Sequence, residues 1–349
     1  MRVQYHAAKT FQREKGALMG FLEDMQETLD RGVSTARGAV SGVAVEQLGF
    51  VKSFVRTCHE GWLQGWHEAN GGNMSYRMTE SDVSAARTFF YDEPGSWVSA
   101  GIQAQCLAGA RFLVTRAGGH FRTMQADPSR GVGIIEMDST GSAWRVVWGF
   151  KDGGRPTSEI GSHLMAHAMR MAATGSIGCD HAAETANPAA SVDRSAEVSP
   201  GKSAAAAGGA RVIYHAHMPN LAALTLAGAF DSRSLTRLLW KTTTECVMAM
   251  PTGVGVVGTV VPGSPELARA TSDLMKDHAA VLWARHGLIV AGETLDEAFG
   301  LAHSLEKAAG IYLAARAACG GQEPPCLLSD EELAAVIAGC GIPANEAYR

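Results

Sequence analysis

The sequence lacks the features that mark membrane, secreted and nucleic-acid-binding proteins. No apolar run reaches the roughly 20 residues that span a bilayer as a helix, and the first residues contain no secretory apolar segment. The 30 Lys and Arg are outnumbered by 35 Asp and Glu, for a formal net charge of -5, whereas nucleic-acid binders usually present a basic surface. We therefore expect a cytoplasmic protein whose partners include neither a membrane nor a nucleic acid.

Cysteine is sparse and irregularly placed. The seven cysteines are Cys58, Cys106, Cys179, Cys246, Cys319, Cys326 and Cys340. Their number is odd and no pair has Cys-x-x-Cys spacing. This is typical of a reduced intracellular protein and unlike a disulfide scaffold or a thiolate zinc site.

The 349 residues, of which 46% are hydrophobic, can bury one large core or two modest ones. Residues 1–45 are a weakly patterned N-terminal extension, predicted to be partly helical (16–29) or disordered. Residues 173–210 consist mainly of Ala, Gly and Ser, which predicts a disordered surface insertion. The rest of 46–349 predicts one domain in which strands and helices mix without strict alternation, a three-layer α/β domain.

Turn residues and hydrophobic patterns locate the main elements. Strands are predicted at 111–115, 132–137, 144–149, 211–216 and 281–283. Apolar residues at helical spacing predict a helix around Val51 to Trp62, which the Asn70-Gly-Gly-Asn73 turn follows. Further helices are predicted to begin near Glu159, at Pro265, and at the capping boxes 294–297 and 329–332.

Three histidines are candidate metal ligands. His215 and His217 lie two residues apart at the end of a predicted strand, so their side chains face the same side. His286 follows another short strand at a sharp His-Gly turn. Three neutral imidazoles with an open fourth position suit a catalytic Zn²⁺. On the residues alone, the His-x-His pattern is better explained by surface or core histidines than by a metal site.

Glu159 follows two hydroxyl residues at the start of a predicted helix. It either complements the helix dipole there or serves as a base that removes a carbon-bound proton. Such a proton is poorly acidic unless a metal stabilises the charge of the enolate. A carboxylate beside Zn²⁺ provides that combination.

Two glycine-containing turns are candidates for a phosphate pocket. In the first, the glycines between Asn70 and Asn73 let backbone N–H groups converge on an anion, and the Asn amides add donors. The second turn spans 115–119, and Thr157 with Ser158 would complete the pocket. Taken singly, each turn is better explained as an ordinary turn.

A rival metal site lies on one helix face, where Glu159, His163 and His167 are four residues apart. The set lacks the His-Glu-x-x-His spacing of zinc proteases, so we expect its two histidines to pack or hydrogen-bond behind the site. Six further histidines are scattered and receive no role: His59, His67, His120, His181, His278 and His303.

Four motifs occur in the order found in class II aldolases of the aldolase/adducin family, which the chain resembles from about Leu48 to Gly341. They are Asn70-Gly-Gly-Asn73, Pro156-Thr-Ser-Glu159, His215-Ala-His217 and Leu282-Trp-Ala-Arg-His286-Gly287. Supporting stretches resemble one branch of the family, which splits a keto-sugar phosphate into dihydroxyacetone phosphate and L-lactaldehyde. They are Gly61-Trp-Leu-Gln-Gly-Trp66, Val146-Val-Trp-Gly149, Leu239-Trp240, Thr244-Glu-Cys246, Val261-Pro-Gly263 and Thr294-Leu-Asp-Glu-Ala-Phe-Gly-Leu301.

The resemblance implies a three-layer α/β/α domain around a mainly antiparallel sheet. It implies one Zn²⁺ per subunit, held by His215, His217 and His286, with Glu159 as the base that yields a zinc-bound enediolate. The implied phosphate ligands are Asn70, Gly72, Asn73, Ala117, Gly118, Thr157 and Ser158. Glu245 matches a proton donor that acts in the neighbouring subunit's site, so a C4 homotetramer with sites between subunits is also implied.

Three departures set limits to the resemblance. The first 45 residues have no counterpart, and the insertion separates Glu159 from the histidine pair. Ala117 stands where the family's phosphate turn has Ser, which removes one hydroxyl donor but leaves backbone N–H groups. The alternatives are another family member, namely an L-fuculose-1-phosphate aldolase or a ribulose-5-phosphate 4-epimerase, and a non-catalytic adducin-like scaffold.

Overall fold

The computed structural model describes residues 44–172 and 209–349. The helix predicted at 16–29 and nearly all of the insertion predicted at 173–210 lie outside the described residues.

Ten α-helices form in the described part of the chain. They are α1 (Gly49–Leu63), α2 (Glu80–Ala86), α3 (Pro128–Gly131), α4 (Ile160–Ala172), α5 (Pro219–Ala227), α6 (Ser232–Thr242), α7 (Thr244–Ala249), α8 (Pro265–Leu274), α9 (Leu295–Ala318) and α10 (Asp330–Gly339). Short 3-10 turns lie at Val45–Gln47, Arg87–Phe89, Gln105–Leu107 and Glu346–Tyr348. Across the two described ranges, no helix combines the length and the apolar character that a membrane crossing requires.

Nine strands of the described chain join in one sheet. They are β1 (Asn73–Arg77), β2 (Val98–Ser99), β3 (Arg111–Thr115), β4 (Val132–Met137), β5 (Ala143–Gly149), β6 (Val212–Ala216), β7 (Val254–Val257), β8 (Ala280–Trp283) and β9 (Gly287–Gly292). Their order across the sheet is β2-β5-β4-β3-β1-β6-β9-β8-β7. The pair β7–β8 is parallel and the other pairs are antiparallel, which confirms the mainly antiparallel sheet.

Both faces of the sheet are covered by helices. Alternate residues of a strand point to opposite faces, and in β3 Leu113 joins one core cluster while Phe112 and Val114 join another. In β6, Tyr214 joins the same cluster as Leu113, whereas Ile213 joins a separate cluster on the opposite face. Residues of α1, α5, α6, α7, α9 and α10 complete the core on one face, and residues of α4 and α8 complete it on the other. The predicted three-layer arrangement is therefore present.

Side-chain caps determine where several helices begin. Ser264, Thr294 and Ser329 each accept a hydrogen bond from the backbone N–H three residues further on, an interaction whose loss costs about 0.5–2 kcal/mol. The capping box predicted at Ser329 is complete. The one predicted at Thr294 is only half formed, because the Glu297 carboxylate accepts from the N–H of Glu293 instead.

Strand pairing brings the candidate site residues to one edge of the sheet. Asn73, the first residue of β1, lies opposite His215 near the end of β6. Ala216, the last residue of β6, lies opposite Leu288 near the start of β9. Because β1 and β9 both run antiparallel to β6, the end of β6 meets the beginnings of its two neighbours.

The cysteines differ in one respect from the fully reduced state that was expected. Cys58, Cys246, Cys319, Cys326 and Cys340 are free thiols. Cys106 is disulfide-bonded, so the prediction is wrong at that position.

Candidate metal centre and anion pocket

The three candidate histidines converge on one point. His215 lies within β6, His217 follows that strand directly, and His286 lies in the turn between β8 and β9. Their ring centroids are 5.1 Å (His215–His217), 4.8 Å (His215–His286) and 5.0 Å (His217–His286) apart. One ligand nitrogen from each ring lies within 4.8 Å of the others, and no other set of this kind occurs in residues 44–172 and 209–349.

Hydrogen bonds to the outer nitrogens fix the tautomers of two rings. Nδ1 of His215 lies 3.0 Å from the carbonyl oxygen of Leu288, and Nδ1 of His217 lies 2.5 Å from Oε1 of Glu68. Both acceptors lack a proton, so each Nδ1 donates, and the lone pair that either ring can offer to a metal lies on Nε2. Metal-bound histidines are commonly oriented in this way.

Burial keeps His215 and His286 in the neutral form that binds metal. His215 is fully buried, yet its Nε2 has no hydrogen-bond partner. Burial, reinforced by His286 and His217, holds the pKa of His215 well below its usual value, and burial followed by the charge of His217 lowers the pKa of His286 to about 4. An unpaired buried nitrogen is costly, and a divalent cation at the convergence point would satisfy it. The residues therefore fit a metal ion.

Glu159 is the carboxylate next to these rings. The sequence placed Glu159 in the first turn of the helix, whereas in the structure it immediately precedes α4. Glu159 is only 6% exposed. Its Oε2 accepts a hydrogen bond from Nδ2 of Asn73 at 2.7 Å and lies 3.7 Å from Nε2 of His215. Burial raises the pKa of the Glu159 carboxyl, and the hydrogen bond from Asn73 opposes that rise.

The two predicted anion turns meet beside the histidines and enclose a cavity of about 150 Å³. The lining residues are Asn70, Gly71, Gly72, Asn73, Arg116, Ala117, Gly118, Thr157, Ser158, Glu159, His215, His217 and His286. All the residues predicted for the metal, the base and the phosphate are thus brought together, and Gly71 and Arg116 of the two predicted turns also line the cavity.

The N–H groups of these turns are not all free to bind an anion. Ala117 donates its N–H to the carbonyl of Arg155 at 2.8 Å, and Thr157 donates to the carbonyl of Thr115 at 2.9 Å. The N–H groups of Gly118 and Ser158 have no backbone partner within the described ranges. The N–H of Ala117 is therefore already engaged within the protein, whereas Gly118 and Ser158 supply the backbone N–H groups that remain in this part of the cavity.

Two histidines that received no role from the sequence support the first turn. Nδ1 of His67 lies 3.0 Å from the carbonyl oxygen of Gly71, and Nδ1 of His120 lies 2.7 Å from that of Ala69. Ala69 has a φ of 46°, a left-handed conformation that is rare outside glycine and needs support from its surroundings. The sequence contained no local signal for these contacts or for the hydrogen bond between His217 and Glu68.

Three other predicted residues lie outside the metal centre. His163 and His167 of α4 hydrogen-bond to Ser75 at 2.8 and 2.9 Å, behind the site, which confirms that expectation over the rival helical metal set. Glu245 is exposed in the first turn of α7 and does not line the cavity of its own chain.

This fold and this site define a class: metal-dependent enzymes that act on small anionic molecules. The chain belongs to the class II aldolase and adducin family. The sequence model described as "Class II Aldolase and Adducin N-terminal domain" matches residues 52–192 and 202–313. Class II aldolases are metal-dependent, which agrees with the three-histidine centre.

Individual relatives point to one branch of the family. A rhamnulose-1-phosphate aldolase from Pectobacterium carotovorum subsp. carotovorum is 35% identical over 297 residues, which cover 85% of this chain and 95% of that protein. One from Escherichia coli O1:K1 is 33% identical over 84% of this chain and 93% of its own length. Among solved structures, a sugar-phosphate aldolase from Thermotoga maritima has a TM-score of 0.57 and 25% identity, covering 79% of this chain and 97% of that one.

Proposed function

We propose that this chain is a zinc-dependent class II aldolase that reversibly cleaves L-rhamnulose 1-phosphate into dihydroxyacetone phosphate and L-lactaldehyde. One observation carries the proposal: the carboxylate of Glu159 lies 3.7 Å from the unpaired Nε2 of His215, a member of the three-histidine cluster. The names of the relatives support the choice of substrate.

The chemistry requires a base beside a metal. His215, His217 and His286 would hold a zinc ion, which would supply Lewis-acid stabilisation for the negative charge that develops when a carbon next to a ketone loses its proton. Glu159 is the base that accepts this proton in the synthetic direction and returns it in the cleavage direction. Its burial raises its pKa, which makes its carboxylate a stronger base than an exposed one.

The phosphate group is assigned to the pocket between the two turns. The N–H groups of Gly118 and Ser158 are available there, and the hydroxyls of Thr157 and Ser158 and the amide of Asn70 line the same cavity. Together with Gly72 and Ala117 as backbone walls, and with Arg116, which also lines the cavity, these groups can bind a dianion. The side chain of Asn73 is instead engaged with Glu159.

We further propose a homotetramer of C4 symmetry in which Glu245 acts in the neighbouring subunit's site. The position of Glu245, exposed and outside its own chain's cavity, supports a role in trans. Met248, one turn further along α7, is 45% exposed, as expected of a surface that a second subunit covers. Residues 46–349 would form the aldolase domain, with 1–45 as an extension and 173–210 as an insertion.

Turnover of three sugar phosphates by the purified protein tests the substrate assignment. We expect cleavage of L-rhamnulose 1-phosphate to exceed that of L-fuculose 1-phosphate, with no 4-epimerisation of ribulose 5-phosphate. Activity on L-fuculose 1-phosphate alone would refute the assignment, and a zinc-loaded protein inert toward all three would indicate a scaffold.

Chelation tests the metal. Dialysis against EDTA should abolish cleavage and Zn²⁺ should restore it. An enzyme that is indifferent to EDTA, and that borohydride traps through a lysine Schiff base, would instead be a class I aldolase.

Mixing subunits tests the shared site. Glu159→Gln and Glu245→Ala proteins should each be impaired, whereas tetramers reassembled from both should regain activity because one interface then holds two intact residues. A fully active monomer, or mixtures that regain nothing, would contradict the shared site.

A further inference from the structure

A line of buried polar side chains extends behind Glu159, away from the cavity. Asn73 and Ser75 of β1 face His163 and His167 of α4, and all four are at most 6% exposed. Oδ1 of Asn73 is hydrogen-bonded to Nε2 of His163. Nδ1 of His163 lies 2.8 Å from Oγ of Ser75, which lies 2.9 Å from Nε2 of His167.

The hydrogen positions along this line follow from its end at the carboxylate. Ionised Glu159 can only accept, so Nδ2 of Asn73 donates and Oδ1 of Asn73 must accept from Nε2 of His163. His163 is neutral, because burial lowers its pKa to about 3. Its Nδ1 is therefore an acceptor.

The same reasoning continues to the far end. The hydroxyl of Ser75 donates its one hydrogen to Nδ1 of His163, and its oxygen accepts from Nε2 of His167. Burial also holds the pKa of His167 well below its usual value, so this ring has one N–H to give. Every donor in the line points toward Glu159.

We propose that His163 is a positioning residue for the catalytic base: its Nε2–H holds the amide oxygen of Asn73, so that the amide nitrogen is presented to Oε2 of Glu159. The two ends of an asparagine amide have almost the same shape, so only its hydrogen bonds decide which end faces the carboxylate. A reversed amide would place an oxygen against Oε2, where two acceptors repel.

Ser75 and His167 complete the device by fixing the tautomer of His163. The hydroxyl of Ser75 donates to Nδ1 and so reinforces the tautomer in which Nε2 carries the proton that Asn73 accepts. Both nitrogens of His163 are thus engaged with protein atoms, which leaves this ring no lone pair for a metal. The inference rests on the proposed function, since it assigns Glu159 the role of base.

Four variants test the proposal. His163→Leu removes the donor to Asn73, whereas the side-chain amide of His163→Gln can place a donor close to the position of Nε2. Ser75→Ala removes the group that sets the tautomer. The matched control is His278→Leu, because His278 is also buried and uses both nitrogens, at 2.9 Å from the carbonyl of Thr252 and 3.1 Å from the hydroxyl of Tyr348.

The most direct measurement is solvent exchange of the dihydroxyacetone phosphate α-proton in D₂O, followed by NMR, since it isolates the step assigned to Glu159. We expect His163→Leu to slow exchange by roughly 10–100-fold, the range that corresponds to loss of a hydrogen bond to a charged group. The zinc content should stay at one per subunit and KM should change little. Ser75→Ala should be intermediate, and His163→Gln should recover most of the rate.

Two results would overturn the positioning role. One is a folded, zinc-loaded His163→Leu protein that exchanges the proton at the wild-type rate. The other is an equal loss in His278→Leu, which would show only a general sensitivity to losing a buried histidine.

A crystal structure separates this inference from the proposed function. If the wild-type protein itself fails to exchange the proton, the proposed function fails. The structure of His163→Leu then decides the inference. An Asn73 amide turned or displaced from Glu159 supports it, and an unchanged bond between Asn73 Nδ2 and Glu159 Oε2 overturns it.

Discussion

Glu68 accepts a hydrogen bond from Nδ1 of His217 at 2.5 Å, although 149 residues separate them in the chain. The carboxylate accepts from Nδ1 and so leaves the lone pair of a neutral ring on Nε2. Such an outer partner strengthens a metal ligand by orienting it and by increasing its basicity. Glu68 would therefore support a metal held by this ring, although it is not itself a member of the three-histidine set.

We predict that Glu68→Ala weakens zinc binding by roughly 10–100-fold, the usual effect of removing such a partner. Competition with a chromophoric chelator measures the affinity. Glu293→Ala, which removes another exposed carboxylate, should leave the affinity unchanged. Equal affinity in wild type and Glu68→Ala would mean that the ring is held in place without the carboxylate.

We predict that Glu159→Gln retains the fold and the zinc but lowers cleavage by roughly 10²–10⁴-fold, the range for a general base. Glutamine has the same shape and its oxygen can still accept from Asn73, so the loss would reflect basicity alone. Steady-state kinetics with metal analysis on the same preparation provide the test. Undiminished cleavage would rule out Glu159 as the base.

The sequence predicted the three candidate metal ligands because their signals are short in range. His215 and His217 share a strand, so a spacing of two residues was enough to place them on one side. The turn at His286 was marked by the glycine that follows it. Strands β3, β4, β5 and β6 were predicted within one residue because their apolar patterns are bounded by turns.

Long-range relationships had no such signal. β1 and β9 were not predicted: β1 contains Asn73 and Ser75, which are poor strand formers, and it is a strand because it pairs with β3 and β6 on both sides. The short β2 and β7 and the helices α5, α6 and α7 were missed as well. Asn73 also donates a hydrogen bond to Glu159, 86 residues away. A contact across that separation cannot be inferred from a local pattern.

Gly287 allows β6 and β9 to approach each other beside the metal ligands. A Cβ added there would lie 2.4 Å from the carbonyl oxygen of Ala216 and 3.0 Å from Cε1 of His215. We predict that Gly287→Ala destabilises the protein by about 1–3 kcal/mol, the usual cost of overpacking, and also weakens zinc binding because His215 must shift.

The matched control is Gly300→Ala in α9. A Cβ there meets nothing within 4 Å, and alanine is the better helix former, so we expect a gain of about 0.4–1 kcal/mol. Urea denaturation with chelator present measures the stability of both variants, and competition with a chromophoric chelator measures their zinc affinity. If Gly287→Ala matched its control in stability and zinc affinity, the close approach of the two strands would not constrain the metal centre.

The neutral state of His163 predicts sensitivity to acid. Burial lowers its pKa to about 3 in the folded protein, whereas the unfolded chain takes up this proton near the ordinary histidine value of about 6.5. The folded state thus binds fewer protons below that value, and the free energy of unfolding falls as the pH drops from about 6.5 toward 3. Between pH 7 and pH 5 this one group accounts for about 2 kcal/mol of the loss.

His163→Gln, which does not titrate, should therefore lose about 2 kcal/mol less than the wild type over this interval. Urea denaturation at both pH values, with chelator present so that metal binding does not contribute, measures the difference. Identical losses in the two proteins would mean that His163 is protonated in the folded state, which is incompatible with its bond to Ser75 as an acceptor.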